Sequence, residues 1–509
     1  MKRSDPHPTA APLWILISLQ AGVSGSSLVV EIVAGRMIAP YVGMSLYTWT
    51  AIIAVVLAGF SVGHWWGGRI AGLDTGRALR RTGWIMLAAA CATAGATFLL
   101  RTTAGPILQT IQHPLVAISA LSALAFFLPS LFAGVPAPVL AVAAIRGRAQ
   151  SEQALGAMYA AGAVGAIAGT LLAGFLFVPW FGSVATLLTI AATYSVAAFI
   201  CSWLGRASKT EFLSTSLGLA AVLLLSAGAA NMQPVCDRES SYYCIRTVTL
   251  SESQTPPIRL MVLDHLAHGI SGRDTPRVMF TDHTAMLDAL PRMRMRRDEF
   301  TSFHIGGGSY SVPRAWADRG ISGITVAEID PEVTSKAEED FWFEPDMATV
   351  VHRDARVALW ESEARYDVII GDAFTDIAVP EHLVTLEFFG LVSERLAPGG
   401  VFAMNLIDNT GSLDALAAVA ATLREIFPSV EVWTEARPPE PNERRVFVLL
   451  AGAEDSPVSA IETKAPGEKR FQALDTGYVD EIIEKTDALV LTDDHAPLSH
   501  LMGFNPVID

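Results

Sequence analysis

His304-Ile-Gly-Gly-Gly-Ser-Tyr310, Val326-Ala-Glu-Ile-Asp-Pro331 and Tyr366-Asp-Val-Ile-Ile-Gly-Asp372 decide the reading of this chain. Each closes or follows a short apolar run of the kind that forms a buried parallel strand. In open α/β sheets a ligand sits at the carboxyl ends of such strands. Glycines 306–308 let the backbone turn tightly and approach a ligand closely. Roughly twenty residues further on, Glu328 ends the next strand, where a carboxylate accepts hydrogen bonds from ribose hydroxyls. A triple glycine alone would say little. Three motifs in this order and spacing, with His352-Arg-Asp-Ala-Arg356 between the last two, describe a nucleoside-binding α/β site.

Outward from these motifs, strands alternate with helices, which implies a parallel, doubly wound sheet. Strands are expected at 302–305, 324–329, 349–352, 366–371 and 401–406, with helices between them. The strands at 429–434 and 444–451 are expected to form an antiparallel edge. Before the motifs, 242–250 and 258–264 read as strands of a small β-rich lead-in, followed by a helix near 281–297. Asp330 before Pro331 reads as a helix cap. Asp372 reads either as a catalytic or substrate-binding acid or as a cap for the next helix.

The chain has 509 residues, too many for one ordinary domain, and is 51% hydrophobic with only 17% charged residues. Its mean hydropathy is +0.38, and nearly all of that apolarity precedes residue 231. About seven stretches there are long enough to cross a bilayer, each needing roughly 20 residues: 12–35, 47–70, 83–101, 114–145, 155–178, 181–203 and 211–230. The fourth carries Pro129, Pro136 and Pro138 and is expected to be kinked or broken. Gly162, Gly165 and Gly169 suit close helix packing in lipid. Glu31 is costly within a span, so it either pairs with Arg36, Arg69 or His64 or lines a polar, substrate-facing cavity. The basic loop residues share one side, which places that side in the cytoplasm. Seven spans would then bring residues after 231 outside, where Cys236 and Cys244 could form a disulfide rather than remain thiols. One span fewer would keep them inside. The expected division is a transmembrane domain at 1–231, a lead-in at 232–300 and a nucleoside-binding catalytic domain at 301–509.

With these residues in view, the second half resembles the spermidine synthase family, within the S-adenosylmethionine-dependent methyltransferase fold. The whole chain resembles bacterial membrane-fused spermidine synthase-like proteins with a transporter-like first half. Tyr242-Tyr-Cys-Ile-Arg246, Leu263-Asp-His-Leu-Ala-His268, the triple glycine, Glu328-Ile-Asp-Pro331, Asp354-Ala-Arg356, Gly371-Asp-Ala-Phe-Thr-Asp376, Val379-Pro-Glu-His-Leu383 and Leu491-Thr-Asp-Asp-His-Ala-Pro497 carry the resemblance. It implies that Gly306, Gly307 and Gly308 pass beneath the nucleoside and Glu328 holds the ribose. Asp354 and Ala355 would meet the adenine. Asp372 would activate the attacking amine, with Asp376 as a second catalytic acid. Asp264, His268, His283, Ser309 and Phe374 would surround the acceptor. The co-substrate implied is decarboxylated S-adenosylmethionine or S-adenosylmethionine itself. A plasma-membrane location follows, with membrane lipid and a small or membrane-associated amine as partners and a homodimer as one expected assembly.

The sequence departs from that family where the amine is usually held. Ser309-Tyr310 stand where those synthases have Asp-Gly, His268 replaces a glutamine, and His283-Thr284 replace Tyr-His. Either the acceptor differs or an amine is held another way. His265, His268 and His283 are candidates for lining that pocket. No histidine pair has zinc-site spacing with cysteines, so no metal is expected. Aminopropyl transfer is the first expectation and methyl transfer the second. A non-catalytic transporter or regulator that binds a nucleoside is the alternative of another class. A dehydrogenase is disfavoured because Gly306-Gly-Gly-Ser-Tyr-Ser311 lacks the third glycine of Gly-x-Gly-x-x-Gly. A net charge of −15 argues against nucleic acid.

Overall fold

The computed structural model describes residues 11–111, 113–146, 148–251, 255–297, 299–373 and 379–502. It divides into two compact units, Met1–Cys244 and Ile245–Asp509. The sequence reading drew its boundary at 231 and set 232–300 apart as a lead-in. In the structure the disulfide segment stays with the first unit, and the lead-in strands belong to the second.

The first unit is helical. Among the described residues six helices are long and apolar enough to cross a membrane: Leu13–Val42, Leu46–Ala71, Thr75–Thr110, Pro114–Ile145, Ser151–Leu204 and Lys209–Ala230. Ser151–Leu204, at about 1.5 Å per residue, would be far longer than a bilayer core of about 30 Å. It is in fact two segments. Gly182 leaves the helix with φ 75° and ψ 170°, a conformation that a side chain would strain, and the Glu239 carboxylate accepts the freed Ser183 N–H at 3.0 Å. Divided at Gly182, the six helices of the described residues give seven apolar segments.

The Pro114–Ile145 stretch is broken where its prolines suggested. A π-turn at Ala123–Phe127 ends two residues before Pro129, and a second at Ala173–Phe177 ends two residues before Pro179. In both, a ring without an N–H disrupts the i−4 bond, and the wider turn absorbs the clash. The pieces nevertheless all pack along helix Leu46–Ala71. Gly165 and Gly169 do what small residues in a bundle allow: a Cβ on either would stand 2.1 Å from Ala21 O or 2.2 Å from Gly25 O. Arg36 does not pair with Glu31. It donates instead to the carbonyls of Tyr242 at 2.5 Å and Ser240 at 2.8 Å. Arg69 lies over the Trp65 ring, 3.7 Å from its centre. Cys236 and Cys244 are joined as a disulfide.

Thirteen strands occur among the described residues: β1 Arg238–Glu239, β2 Cys244–Thr249, β3 Ile258–Leu263, β4 Leu266–Gly272, β5 Ser302–Ile305, β6 Ile324–Ala327, β7 Thr349–Val351, β8 Tyr366–Gly371, β9 Leu396–Asn409, β10 Ser429–Glu435, β11 Arg444–Gly452, β12 Ala460–Thr463 and β13 Lys469–Ala473. In the second unit β2, β3 and β4 form an antiparallel lead-in. The main sheet has nine strands in the order β12-β13-β10-β11-β9-β8-β5-β6-β7. The five strands β9, β8, β5, β6 and β7 run parallel, and β11, β10, β13 and β12 add an antiparallel edge. β5 is buried throughout because helices cover both faces of a parallel sheet. Phe303, Phe388, Phe389 and Phe402, none more than 1% exposed, anchor the core on one face. Each such burial contributes roughly 1.5–3 kcal/mol. Strand order reverses between β5 and β8, and that switch point is where a ligand crevice opens.

Candidate functional site

The glycine loop leaves β5 at the switch point. Gly306 takes φ 89° and lies so close to the end of β8 that a Cβ there would stand 2.8 Å from Asp372 O. The Gly306 N–H donates to Ala327 O at 2.9 Å and the Asp372 N–H to Ile305 O at 3.0 Å. The ends of β6, β5 and β8 are thereby tied into one rim. Tyr310, itself at φ 54°, ends the loop. Its buried ring stacks on Phe343 at 4.1 Å, and its hydroxyl meets Thr334 Oγ1 at 2.7 Å.

Glu328 turns back onto this loop. Its Oε2 accepts the Gly307 N–H at 2.8 Å and its Oε1 the Asp330 N–H at 2.9 Å. Burial pushes its carboxyl above the ordinary range, against the pull of the Asp330, Gly307 and Gly308 amides. A carboxylate has about four lone-pair sites, so capacity remains for another donor such as a hydroxyl. Asp330 caps helix Pro331–Asp340 by accepting the Glu332 N–H at 3.0 Å, the role its sequence context suggested.

Asp372 stands at the open end of β8. Asn405, buried on the adjacent β9, donates Nδ2–H to Asp372 Oδ1 at 2.9 Å. Helix capping is not what holds this carboxylate among the described residues. Asp354 does cap a helix: its Oδ1 accepts the Val357 N–H at 3.0 Å, while Oδ2 lies 2.8 Å from His382 Nε2. Ala355 is buried at the first turn of that helix. Phe374 and Asp376 lie outside the described residues.

On the other side of the glycine loop stands the lead-in. A Cβ on Gly269 would meet Ser309 Oγ at 2.1 Å, and one on Gly308 would approach His268 O at 3.2 Å. β4 therefore lies directly against the loop. Ser309 Oγ lies 2.7 Å from Ser311 Oγ, which in turn lies 3.0 Å from Ser271 Oγ. Asp264 adopts φ 53° in the two-residue turn between β3 and β4, a geometry that aspartate tolerates better than most residues. His283 is the second residue of helix Asp282–Met295, its Nε2 3.4 Å from Thr281 Oγ1. His268 is pushed down to about 4, first by burial and then by His283 and His265. Among the described residues no group of His, Cys, Asp and Glu converges as a metal site requires.

Part of the chain is similar in sequence to known proteins. Over 196 residues the chain is 31% identical to a probable polyamine aminopropyl transferase of Bifidobacterium longum, covering 35% of this chain and 43% of that protein. Over 151 residues it is 35% identical to a polyamine aminopropyltransferase of Vibrio vulnificus, covering 29% and 49%. An N-terminal histidine N-methyltransferase of Emericella nidulans is 32% identical over 162 residues, covering 30% of this chain and 28% of that one. The chain thus spans less than half the length of these curated relatives. A probable spermidine synthase from Corynebacterium glutamicum superposes with a TM-score of 0.42 at 23% identity, over 50% of this chain and 96% of that one. No family model matches the chain.

Several residues of the site escaped the sequence reading. Asn405 is 33 positions from Asp372 and gives no local signal of its role. Arg356 grips the Asp493 carboxylate through both Nη atoms at 2.7 Å, and Thr385 Oγ1 adds a third contact at 2.7 Å. Asp493, which the sequence leaves between closing over the acceptor pocket and capping the last helix, does not cap that helix. It ties the 491–497 segment to the first turn of helix Ala355–Glu361.

His304 lies beneath the loop on β5, 2% exposed and edge-on to Trp316 at 5.1 Å. Burial pushes its imidazole from 6.5 down to about 3. An unfolded chain protonates this histidine near 6.5 and the folded chain does not. The stability it contributes is therefore complete above that pH and lost as pH falls toward 3. Relative to His304→Gln, the wild-type second unit should lose roughly 2 kcal/mol between pH 6.5 and 5. Hydrogen exchange of peptides spanning β5 and β6 checks this, and parallel pH profiles for the two proteins would refute it.

Proposed function

We propose that the chain is a membrane-bound transferase that moves an aminopropyl group from decarboxylated S-adenosylmethionine to an amine. The observation that carries this reading is the placement of two acids at strand ends on either side of the β5 glycine loop, Glu328 after β6 and Asp372 after β8. Glu328, bound to the glycine loop, suits ribose hydroxyls, and Asp372 at the end of β8 suits an amine. The identity of 31% and 35% to proteins named as polyamine aminopropyltransferases supports it.

In the reaction, the amine lone pair attacks the propyl carbon bonded to sulfur. The carbon–sulfur bond breaks, and its electron pair neutralises the sulfonium to a thioether. Asp372 takes the proton that the amine must lose. Because the donor loses charge on transfer, placement of the two reactants matters more than charge neutralisation. Glu328, Asp354 and the glycine loop would fix the donor, and Asn405 would aim Asp372. Methyl transfer from intact S-adenosylmethionine is the second reading, favoured by the similarity to a histidine N-methyltransferase.

The apolar segments suit a plasma-membrane location. Arg77, Arg80, Arg81, Arg146, Arg148 and Arg206 lie at the same set of helix ends, which the bias of basic loops assigns to the cytoplasm. Seven passages then bring the Cys236–Cys244 disulfide out on the opposite face.

Calorimetric titration of the full chain in detergent with S-adenosylmethionine, its decarboxylated form and methylthioadenosine tests the donor. Preference for the decarboxylated form and for methylthioadenosine is expected. Preference for the intact donor would replace aminopropyl transfer with methyl transfer, and binding of none by folded protein would end the reading.

A further inference from the structure

A cavity of about 250 Å³ lies in the first unit, beside the Cys236–Cys244 disulfide. Its walls come from the last turns of helix Leu13–Val42, from Leu100 and Arg101 on helix Thr75–Thr110, from the break at Phe181–Val184 and from the returning segment 234–239. All of these belong to Met1–Cys244. Among the described residues the charged groups lining the cavity are Arg36, Arg101 and Glu239.

Glu239 is already neutralised. The Ser183 N–H and hydroxyl both donate to it, at the start of the helical segment that follows the break, and the positive end of a helix favours a carboxylate there. The two guanidinium groups meet neutral acceptors instead. Arg36 donates to the carbonyls of Ser240 and Tyr242, and Arg101 donates to the Gln233 carbonyl at 2.6 Å. The Arg36 Nε–H is buried and makes no hydrogen bond among the described residues, whereas buried donors are nearly always satisfied. Glu31 stands five residues before Arg36, about 140° round the same helix, and so points to another side. The cavity thus carries an excess of positive charge.

Arginine matches phosphate oxygens through paired N–H donors. The remaining walls are largely apolar, and Phe181 lines the cavity while 59% exposed, so it borders the open side. Trp180 beside it is 77% exposed, as aromatic residues are at a membrane–water boundary. A water-soluble anion would leave these apolar surfaces bare, whereas a lipid covers them with its glycerol and acyl chains. Pockets that enclose a whole drug-sized ligand run to roughly 300–1,000 Å³, so this one takes a head group and leaves the chains outside. Resting on the membrane location argued above, we propose that the cavity holds the phosphate of an anionic phospholipid from the leaflet on the disulfide-bearing face, gripped between Arg36 and Arg101.

The full chain in detergent micelles is titrated with phosphatidylglycerol, phosphatidylcholine and glycerol 3-phosphate, and bound molecules are counted by native mass spectrometry. One saturable site is expected, about tenfold tighter for phosphatidylglycerol than for phosphatidylcholine, whose choline adds a positive charge, and weaker again for glycerol 3-phosphate. Arg101→Gln should weaken phosphatidylglycerol binding about tenfold, and Arg101→Lys should recover part of it. Val184→Trp fills the cavity with both arginines kept and should remove the site. In each variant, alkylation of Cys91 and Cys201 alone under denaturing conditions reports an intact disulfide. If Val184→Trp does not fold, the two Arg101 variants decide. Equal affinity for the two lipids, or unmoved affinity in Arg101→Gln, overturns the proposal. Glycerol 3-phosphate bound as tightly as the lipid would make this a site for a free anion and overturn the lipid assignment. Failure of the membrane reading shows separately, because the chain would then be recovered in the soluble fraction of broken cells rather than in alkali-washed membranes.

Discussion

Asp372→Asn is expected to lower kcat by about 10²–10⁴-fold, the range typical of a positioned general base, while methylthioadenosine binds as before. The two halves of that expectation come from different parts of the rim. Asp372 reaches the crevice from β8, with its N–H fixed on Ile305 O and its Oδ1 on Asn405 Nδ2. The donor-side contacts run instead through Glu328 and the glycine loop on β5 and β6. Asparagine keeps the size and one oxygen of the carboxylate but cannot take a proton from an amine. Loss should therefore appear in kcat, and raising the pH to deprotonate the free amine should recover part of it. Asn405→Ala is a positioning test of the same base. It should cost about tenfold in kcat, with the pH dependence retained. If Asp372→Asn turned over within a few-fold of wild type, Asp372 would be a strand-end acid without a chemical role, and the transferred proton would leave by another route.

The glycine loop and Glu328 could be read from the sequence because their signals are local. Short apolar runs ending in glycines or an acid specify strand ends within a few residues, and the twenty-odd residues between Gly307 and Glu328 are one helical crossover. The seven apolar segments were legible for the same reason, since each is a continuous run. What escaped depends on register between distant strands. Asn405 meets Asp372 only because Met404 aligns with Gly371 in the parallel pair. His382 and Arg356 find Asp354 and Asp493 through chain folding that no window of sequence contains. β4 was missed because Gly269 and Gly272 dilute its strand pattern, yet those glycines are there for packing: Gly269 leaves room for Ser309 and Gly272 for Thr275. Arg36 looked like a partner for Glu31 five residues away. It instead finds the carbonyls of Ser240 and Tyr242, more than two hundred residues on. Charge near charge in sequence was a poor guide because the backbone of a returning segment offered better acceptors.

Glu328→Gln is expected to weaken methylthioadenosine binding by about 10²–10³-fold, because it removes acceptors from both the loop and the ligand. In the wild type each carboxylate oxygen already holds a backbone N–H, from Gly307 and from Asp330. A glutamine can present its oxygen to only one of them. Its amide group then faces the other N–H, leaving two donors in opposition within a site where Glu328 is only 6% exposed. An unsatisfied buried donor costs roughly 1–3 kcal/mol, and the loop would shift to relieve it. The same substitution removes the negative charge offered to ribose hydroxyls, so cradle and contact fail together. Glu328→Asp tests the division, because it keeps both oxygens but draws them back by one methylene. It should bind more tightly than the glutamine variant and more weakly than wild type. Hydrogen exchange at Gly307 and Gly308 reports the loop directly. Faster exchange with unchanged ligand affinity would make Glu328 a brace for the backbone and move the ribose to other acceptors. Lost affinity with unchanged exchange would make it a ligand contact first, with its hold on the Gly307 amide the lesser role.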